Sequence, residues 1–441
     1  MNVDKQTLKD LEIFKSENAE SAIFDLIDET KTLGGKYRLR EKFLHPPIGI
    51  EQTRIQQETI CYLTENPDDF ILPFNSHQIR SLEEYLSSNI EIVKNDSLFT
   101  CIMFCLVDIQ SFRYLKNYLT EVFRFLFDFN QFFKKGKVKL PEILEKANFE
   151  LSTLFINDKF KKASKLFKDK RVLFPNVLRA DRLFRTYLKS SLKKIIEWLS
   201  EIDALYSMAE VTVKYKFHFP EITDDKNCLL DIKGLYHPMV QDAIPCDLKL
   251  TRDSNFIFLT GPNMAGKTTF LKAVGISVFF AHLGMGIPAA YARISYFDRL
   301  FTSLYLTDNI LNGYSFFYSE VIRVKQLAEY LNYEGKVFAL FDELFRGTNV
   351  KDAYDASVMI ISGLIQWKNS MFILASHLWE IWEEINVFSN TRSLYFESEI
   401  VENNPVFSYK LLPGVSNMRL GLNIIEKEEV MHLLNFAMKQ I

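Results

Sequence analysis

The sequence predicts an α-helical region followed by an α/β region built on a mostly parallel sheet, and three observations carry that expectation. Residues 1 to about 220 are poor in Gly and Pro and rich in Leu, Phe, Lys and Glu, with apolar residues returning at three- and four-residue steps. Beyond them, short apolar runs alternate with Gly-containing turns and amphipathic segments, the texture of strands joined by crossover helices. Between the two, Pro220 to Asn227 gathers an acidic cluster and marks the expected junction, which assigns 1–220 to the helical region and 221–441 to the α/β region.

In the helical region, Leu8, Leu11, Phe14, Ile23, Leu26 and Ile27 set the period from Asp4 to Leu33, and a similar period runs from Leu183 to Leu205. Pro46-Pro47 and Asn66-Pro67-Asp68-Asp69 punctuate it. The stretch Ser97 to Val107 is apolar but is stopped by Asp108, short of the roughly 18 to 20 residues that cross a bilayer, so it reads as a buried helix. From Val211 to Phe219 the pattern turns alternating and β-like. The 441 residues suit two or three domains, and 39 Phe with 19 Tyr supply area for a large packed core. Met1-Asn2-Val3-Asp4-Lys5 lacks the apolar run of a secretion signal, so a cytoplasmic chain without membrane contact is expected.

Five cysteines at irregular positions form neither a disulfide framework nor paired metal spacings; Cys101 and Cys105 read as packing residues. Charge is uneven. Lys134 to Glu197 holds 18 Lys and Arg against seven Asp and Glu, a local excess of 11, so the remainder carries a net −14 within the total of −3. Such a region is either a solvated helical face or a contact for a phosphate backbone. No self-similarity at a fixed period is present, which argues against a solenoid or propeller.

In the α/β region three runs read as buried strands: Phe256 to Thr260, Val337 to Phe341 and Met371 to Ala375. Each delivers polar residues at its carboxyl end. The first leads into Gly261-Pro262-Asn263-Met264-Ala265-Gly266-Lys267-Thr268-Thr269, which fits GxxxxGK[ST]. Glycines there let backbone amides face a polyphosphate, and the helix that follows adds the positive end of its dipole. Lys267 suits neutralisation of the β- and γ-phosphates, and the Thr268 hydroxyl suits magnesium. The second run ends in Asp342-Glu343, on the sheet edge where ligands of parallel sheets bind. Asp342 is expected to hold magnesium through water, and Glu343 to polarise the attacking water; an acidic helix cap is the plainer alternative. After the third run comes His377, within reach of the same edge.

Glutamate after Asp342 together with His377 resembles the ABC-type branch of P-loop NTPases, which implies closure of the γ-phosphate face by a serine from a second subunit. Asp308 to Phe317, with Ser315, is the candidate segment; an ordinary serine-capped loop is the alternative. The wording of these motifs resembles the MutS family of DNA mismatch-repair ATPases. Thr260 to Lys272 is similar to that family's phosphate loop with its Pro-Asn-Met interior, Asp342-Glu343-Leu344-Phe345-Arg346-Gly347-Thr348 to its Asp-Glu-x-x-Arg-Gly-Thr signature, and Ser376-His377 to its Thr-His. The likeness covers about 228–425. More loosely, Lys36 to Pro47 is similar to the family's entry into its core domain, and Glu201 to Ala209 to its lever segment.

The resemblance implies a core and lever of long helices, with a reduced clamp, leading to an ABC-type ATPase domain opened by His237-Pro238. It also implies that Tyr409 stacks on adenine. The chain departs from the family in several places. By this reading the core-like sequence begins near residue 30, so a mismatch-recognition domain with its Phe-x-Glu wedge is not expected, nor is a C-terminal nuclease-like domain. The chain carries Ala243 where an aromatic is frequent and has Tyr314 and Phe316 around the serine. The expected activity is therefore magnesium-dependent ATP hydrolysis by a homodimer, coupled to DNA binding in repair or recombination. The alternative is a nucleotide-gated scaffold that binds branched DNA or a protein partner with little turnover. A transport ATPase is disfavoured, because no Leu-Ser-Gly-Gly signature is present.

Overall fold

The computed structural model describes residues 1–416 apart from 17–20, 68–71, 73–75, 95–96, 136–138, 168–173, 225–226, 305–315, 334, 346–347 and 402–403. The chain divides into two compact units, a sheet unit of Met1–Leu26, Leu44–Arg54 and Lys214–Ile441 and a helical unit of Ile27–Phe43 and Ile55–Val213. In chain order the helices are α1 (Lys5–Asp10), α2 (Ile23–Ile27), α3 (Leu33–Leu44), α4 (Ile50–Glu65), α5 (Ser76–Ser87), α6 (Leu98–Val107), α7 (Ile109–Lys135), α8 (Glu142–Ile156), α9 (Asp158–Phe167), α10 (Phe174–Arg182), α11 (Lys189–Lys214), α12 (Lys267–His282), α13 (Phe316–Asn332), α14 (Val350–Leu364) and α15 (Ile381–Ile385). A π-helical turn occupies Leu183–Tyr187. The strands are β1 (Asn2–Val3), β2 (Glu221–Thr223), β3 (Leu229–Leu235), β4 (Cys246–Thr251), β5 (Phe256–Thr260), β6 (Tyr291–Ser295), β7 (Arg299–Ser303), β8 (Val337–Asp342), β9 (Met371–Ala375), β10 (Thr391–Val401) and β11 (Asn404–Pro413).

In the sheet unit a seven-stranded sheet runs in the order β1-β7-β8-β9-β5-β10-β11. All its neighbours are parallel except the β10–β11 hairpin. Every residue of β5, β8 and β9 is buried, which is why these strands read as unbroken apolar runs: both faces of the sheet are covered. One face packs Phe256, Phe258, Phe341, Phe372 and Leu374 against Leu327 and Leu331 of α13 and Ile361 of α14. Each such fully buried side chain contributes roughly 1.5–3 kcal/mol. A second, four-stranded sheet has the order β2-β6-β3-β4.

The helical unit is organised by α7, whose buried residues Leu115, Leu119, Val122, Leu126, Phe129 and Phe133 recur at helical spacing. Phe123 meets Phe184 of the π turn edge-on at 5.0 Å. A buried polar cluster also holds the unit together: Tyr85 donates to Asp181 at 2.9 Å, and Arg185 donates to both Asp181 oxygens and to the Ile90 carbonyl at 2.6 Å. Near the other end of α11, Asp203 accepts from the Lys31 and Thr32 amides at 2.9 and 2.8 Å and from the Thr32 hydroxyl. Gly35 has to be glycine here, because a Cβ would stand 2.0 Å from the Asp203 carboxylate.

The structure departs from the sequence reading in four places. Residues 2–3 form an edge strand, and the helical period read from Asp4 to Leu33 falls, among the described residues, on two short helices, α1 and α2, up to the start of α3. α6 is a helix as expected but is not buried: Cys101 is buried while Phe99, Ile102, Met103, Leu106 and Val107 are exposed. The β-like stretch from Val211 continues α11 as far as Lys214, where consecutive apolar side chains sit in a helix buried on several sides. The acidic segment expected at the junction contributes β2 to the four-stranded sheet, and the division between units falls at Lys214 and includes residues 1–26 and 44–54 in the sheet unit. Among the described residues no helix is long and apolar enough to cross a membrane.

Candidate functional site

β5 of the seven-stranded sheet leads into a tight loop. At the end of β5 the backbone takes φ +144° at Gly261, +69° at Met264 and +99° at Gly266, and α12 begins at the next residue. Gly261 and Gly266 reach their angles without a Cβ penalty, whereas Met264 takes a left-handed angle despite its Cβ; at Gly266 a Cβ would also press on the Tyr409 ring at 3.4 Å. The amides of the first turn of α12 therefore face the loop. Lys267 is buried and folds its ammonium back over the loop, donating to the Gly261 carbonyl at 2.7 Å and the Pro262 carbonyl at 3.1 Å.

Two further strands deliver acidic and basic side chains to this edge. Asp342, the last residue of β8, is buried, and the Thr268 hydroxyl donates to its Oδ2 at 2.5 Å. Glu343 follows with φ +54°, an angle costly for a residue with a Cβ, and its amide donates to the Ala375 carbonyl of β9 at 2.8 Å. His377 lies just past β9, its Nδ1 3.4 Å from Glu343 Oε1, with the imidazole more than half exposed. The Ser376 amide donates to the Leu259 carbonyl at 2.9 Å, which fixes the exit of β9 beside β5. Three neighbouring strands thus bring Lys267, Thr268, Asp342, Glu343 and His377 together.

The Thr268 hydroxyl and the Asp342 carboxylate are hard oxygen donors, and their direct contact makes the pair a fit for magnesium. Among the described residues no group of three or more His, Cys, Asp or Glu could hold a metal. Magnesium characteristically takes one or two protein oxygens and fills its octahedron with phosphate and water, so the donor set suits that ion better than calcium or zinc.

The loop opens onto a cavity of about 840 Å3 lined by Pro262, Asn263, Met264, Gly266, Lys267, Thr268 and Thr269, by Asp342 and Glu343, and by Tyr409 of β11. Its apolar wall comes from Tyr236, His237, Val240, Ala243, Ile244 and Cys246, with Phe396 of β10 at the floor edge-on to Phe270 at 5.8 Å. Tyr409 has φ +54° and is about half exposed, so its ring is presented from a constrained backbone. Burial holds His237 neutral, with its pKa lowered to about 4; Lys272 adds to the depression and Glu12 opposes it. His237 Nδ1 accepts from the Met239 amide at 3.3 Å, consistent with that neutral ring.

Of the residues expected from sequence, Gly261 and Ala265 shape the loop without lining the cavity. Ser315, with most of its segment, and Arg346 and Gly347 lie outside the described residues. Lys161, Lys162 and Lys165 are exposed on α9. Cavity residues that sequence reasoning missed include Tyr236, Val240, Ile244, Cys246, Phe270 and Phe396. The only signal for the first three was the Tyr-His-Pro turn between β3 and β4, which reads as an ordinary connection.

Residues 257–439 match the family of MutS domain V. Curated relatives, each named DNA mismatch repair protein MutS, include that of Staphylococcus haemolyticus, 28% identical over 247 residues, which are 54% of this chain and 27% of the relative. That of Anaplasma phagocytophilum is 32% identical over 231 residues, 52% of this chain and 28% of the relative. That of Fusobacterium nucleatum is 30% identical over 263 residues, 57% and 29% respectively. The matched stretch spans less than a third of each of these relatives. The loop, the paired carboxylates and the histidine converge on one sheet edge within that stretch, and residues 257–439 are similar to MutS domain V.

Proposed function

We propose that this chain binds ATP in the cavity beneath Tyr409 and hydrolyses it as an ABC-type P-loop ATPase, with magnesium held by Thr268 and Asp342. The observation that carries the reading is the pairing of the Thr268–Asp342 bond with the Glu343–His377 contact at the mouth of the loop. Magnesium, when bound, supplies positive charge that stabilises the phosphates as charge shifts to the leaving group. The loop amides and Lys267 bind and orient the triphosphate. Glu343 accepts a proton from the attacking water, and His377, in contact with the Glu343 carboxylate, holds it toward the γ-phosphate. His377 is exposed and Met264 at the loop tip is 75% exposed, which supports completion of the site by a second copy contributing Ser315. Tyr409 stacks on the adenine.

The names of the relatives and the basic stretch from Lys134 to Glu197 support DNA as the partner and repair or recombination as the setting, with hydrolysis coupled to DNA binding through the helical unit. Binding and turnover of ATP by the full chain, alone and with duplex, mismatched and branched DNA, test the proposal. Glu343→Gln is expected to keep nucleotide affinity and lose turnover by about 10²–10⁴-fold. Normal hydrolysis in that variant removes Glu343 from the reaction. Wild-type ATP binding without turnover favours a nucleotide-gated scaffold instead.

A further inference from the structure

Residues 2–13 make a dense set of contacts with β7, α13 and the phosphate-loop helix α12, although nothing in the sequence motifs points to them. β1 pairs in parallel with β7, Asn2 opposite Arg299 and Val3 opposite Leu300. Asp4 caps α1, accepting from the Thr7 amide at 2.8 Å, and also receives both terminal nitrogens of Arg323 on α13 at 2.6 and 3.0 Å. Arg323 in turn donates to the Thr302 carbonyl of β7 at 3.0 and 2.7 Å. Thr302 is held on its other side as well: its amide donates to the Thr7 hydroxyl at 3.1 Å, and its hydroxyl donates to Asp10 at 2.7 Å. Asp10 also accepts from the Leu304 amide at 2.9 Å.

The same segment then crosses to the phosphate-loop helix. Leu11 is completely buried against Gly275 of α12, where a Cβ would stand 2.6 Å from Leu11 Cδ2 and 3.1 Å from Leu340 Cδ1 of β8. One residue on, Glu12 pairs with Lys272 of α12 at 2.8 Å. Leu340 is two residues before Asp342 and is the register partner of Thr302. Gly275 is two turns beyond Thr268 on α12. Leu11 therefore packs where Gly275 of α12 faces Leu340 of β8, while Asp10 anchors it to the strand beside β8.

We infer that residues 2–13 are a clip that sets the spacing of α12 against β8, and with it the distance between the Thr268 hydroxyl and the Asp342 carboxylate. Asp10, Leu11 and Gly275 are then positioning residues for magnesium. They touch neither nucleotide nor metal and act through the two oxygen ligands. The inference rests on the proposed nucleotide site. Its specific consequence is a separation of effects: widening the α12–β8 gap weakens use of the metal while the loop amides and Lys267 still hold the phosphates.

The test uses the full chain and a fluorescent ADP, measuring affinity in chelator and then the magnesium concentration that produces the metal-dependent tightening. Gly275→Ala is expected to raise that midpoint by roughly fivefold or more, with metal-free affinity within about twofold of wild type. Adding Leu11→Ala makes room for the new methyl and is expected to restore the midpoint, a rescue that general destabilisation does not produce. An unchanged midpoint in Gly275→Ala, or a raised one that Leu11→Ala leaves in place, overturns the clip. If Gly275→Ala fails to fold by thermal melting, Thr302→Val, which removes the hydroxyl held by Asp10, is the second variant. It is expected to raise the midpoint, and an unmoved midpoint there overturns the clip. Absence of saturable nucleotide binding in the wild type instead overturns the proposed site, and the clip falls with it; binding with immovable magnesium dependence overturns the clip alone.

Discussion

His282 at the end of α12 carries no charge in this fold. It is fully buried, the Phe297 amide donates to its Nε2 at 2.8 Å, and Nδ1 lies 2.7 Å from the Val278 carbonyl, which assigns the proton to Nδ1. Burial lowers its pKa to about 3, with the Val278 bond opposing the shift. The unfolded chain takes up the proton near pH 6.5, well before the folded one does. Stability is thus fully present above about pH 6.5 and is lost as pH falls from there toward 3, in total by a few kcal/mol at most. Urea midpoints measured between pH 7.5 and 5 are expected to fall, and to fall less in His282→Gln. At the cavity, Tyr409→Ala is expected to weaken ATP affinity by about three- to tenfold, the scale of one aromatic stack, measured by titration in magnesium. An unaltered affinity contradicts stacking on adenine. The placement of the loop after β5 and of Asp342-Glu343 at the sheet edge was legible because each is contiguous in sequence. The wall of Tyr236, Val240, Ile244, Cys246 and Phe396 was not, since the β3–β4 connection, the start of β4 and β10 supply it and only the folded unit brings them beside the loop.

At the level of elements, sequence patterns spoke most clearly where burial was complete. β5, β8 and β9 are buried at every residue, so their apolar runs and the polar residues after them matched the strands closely. α6 shows where such reasoning stops. A helix apolar on all sides has no period from which to read which face is covered, and the expectation of burial failed for five of its large side chains. Leu106, 74% exposed, is accordingly expected to tolerate replacement by serine within about 0.5 kcal/mol of wild-type stability, checked by urea unfolding. A drop of several kcal/mol would mean that Leu106 is packed. The N-terminal segment was opaque for another reason: its short helix and two-residue strand are determined by Arg323 and Thr302, some three hundred residues away in sequence.

For the whole molecule, charge and topology divide the work. The sheet unit gathers the cavity, and the helical unit holds most of the basic stretch, including exposed Lys161, Lys162 and Lys165. If that stretch engages a phosphate backbone, DNA affinity falls log-linearly with salt, and neutralising the three lysines reduces the slope by about 0.9 for each phosphate they neutralise in the wild type. An unchanged slope makes them a solvated face. A single cut near residue 220 was the natural reading of composition, yet residues 1–26 join the sheet unit through partners on α12, α13 and β7, and residues 44–54 through bonds from Gly49 to the Tyr296 hydroxyl, from Thr53 to the His282 carbonyl and from Arg54 to the Ile222 carbonyl. Everything proposed for the chain depends on the loop of amides and Lys267 gripping a triphosphate. The most direct test is a titration of wild type and Lys267→Ala with magnesium ATP. Saturable binding of one nucleotide per chain, weakened at least about a hundredfold in the variant, is the expected result. No saturable binding by the wild type, or equal binding by both, would contradict the account.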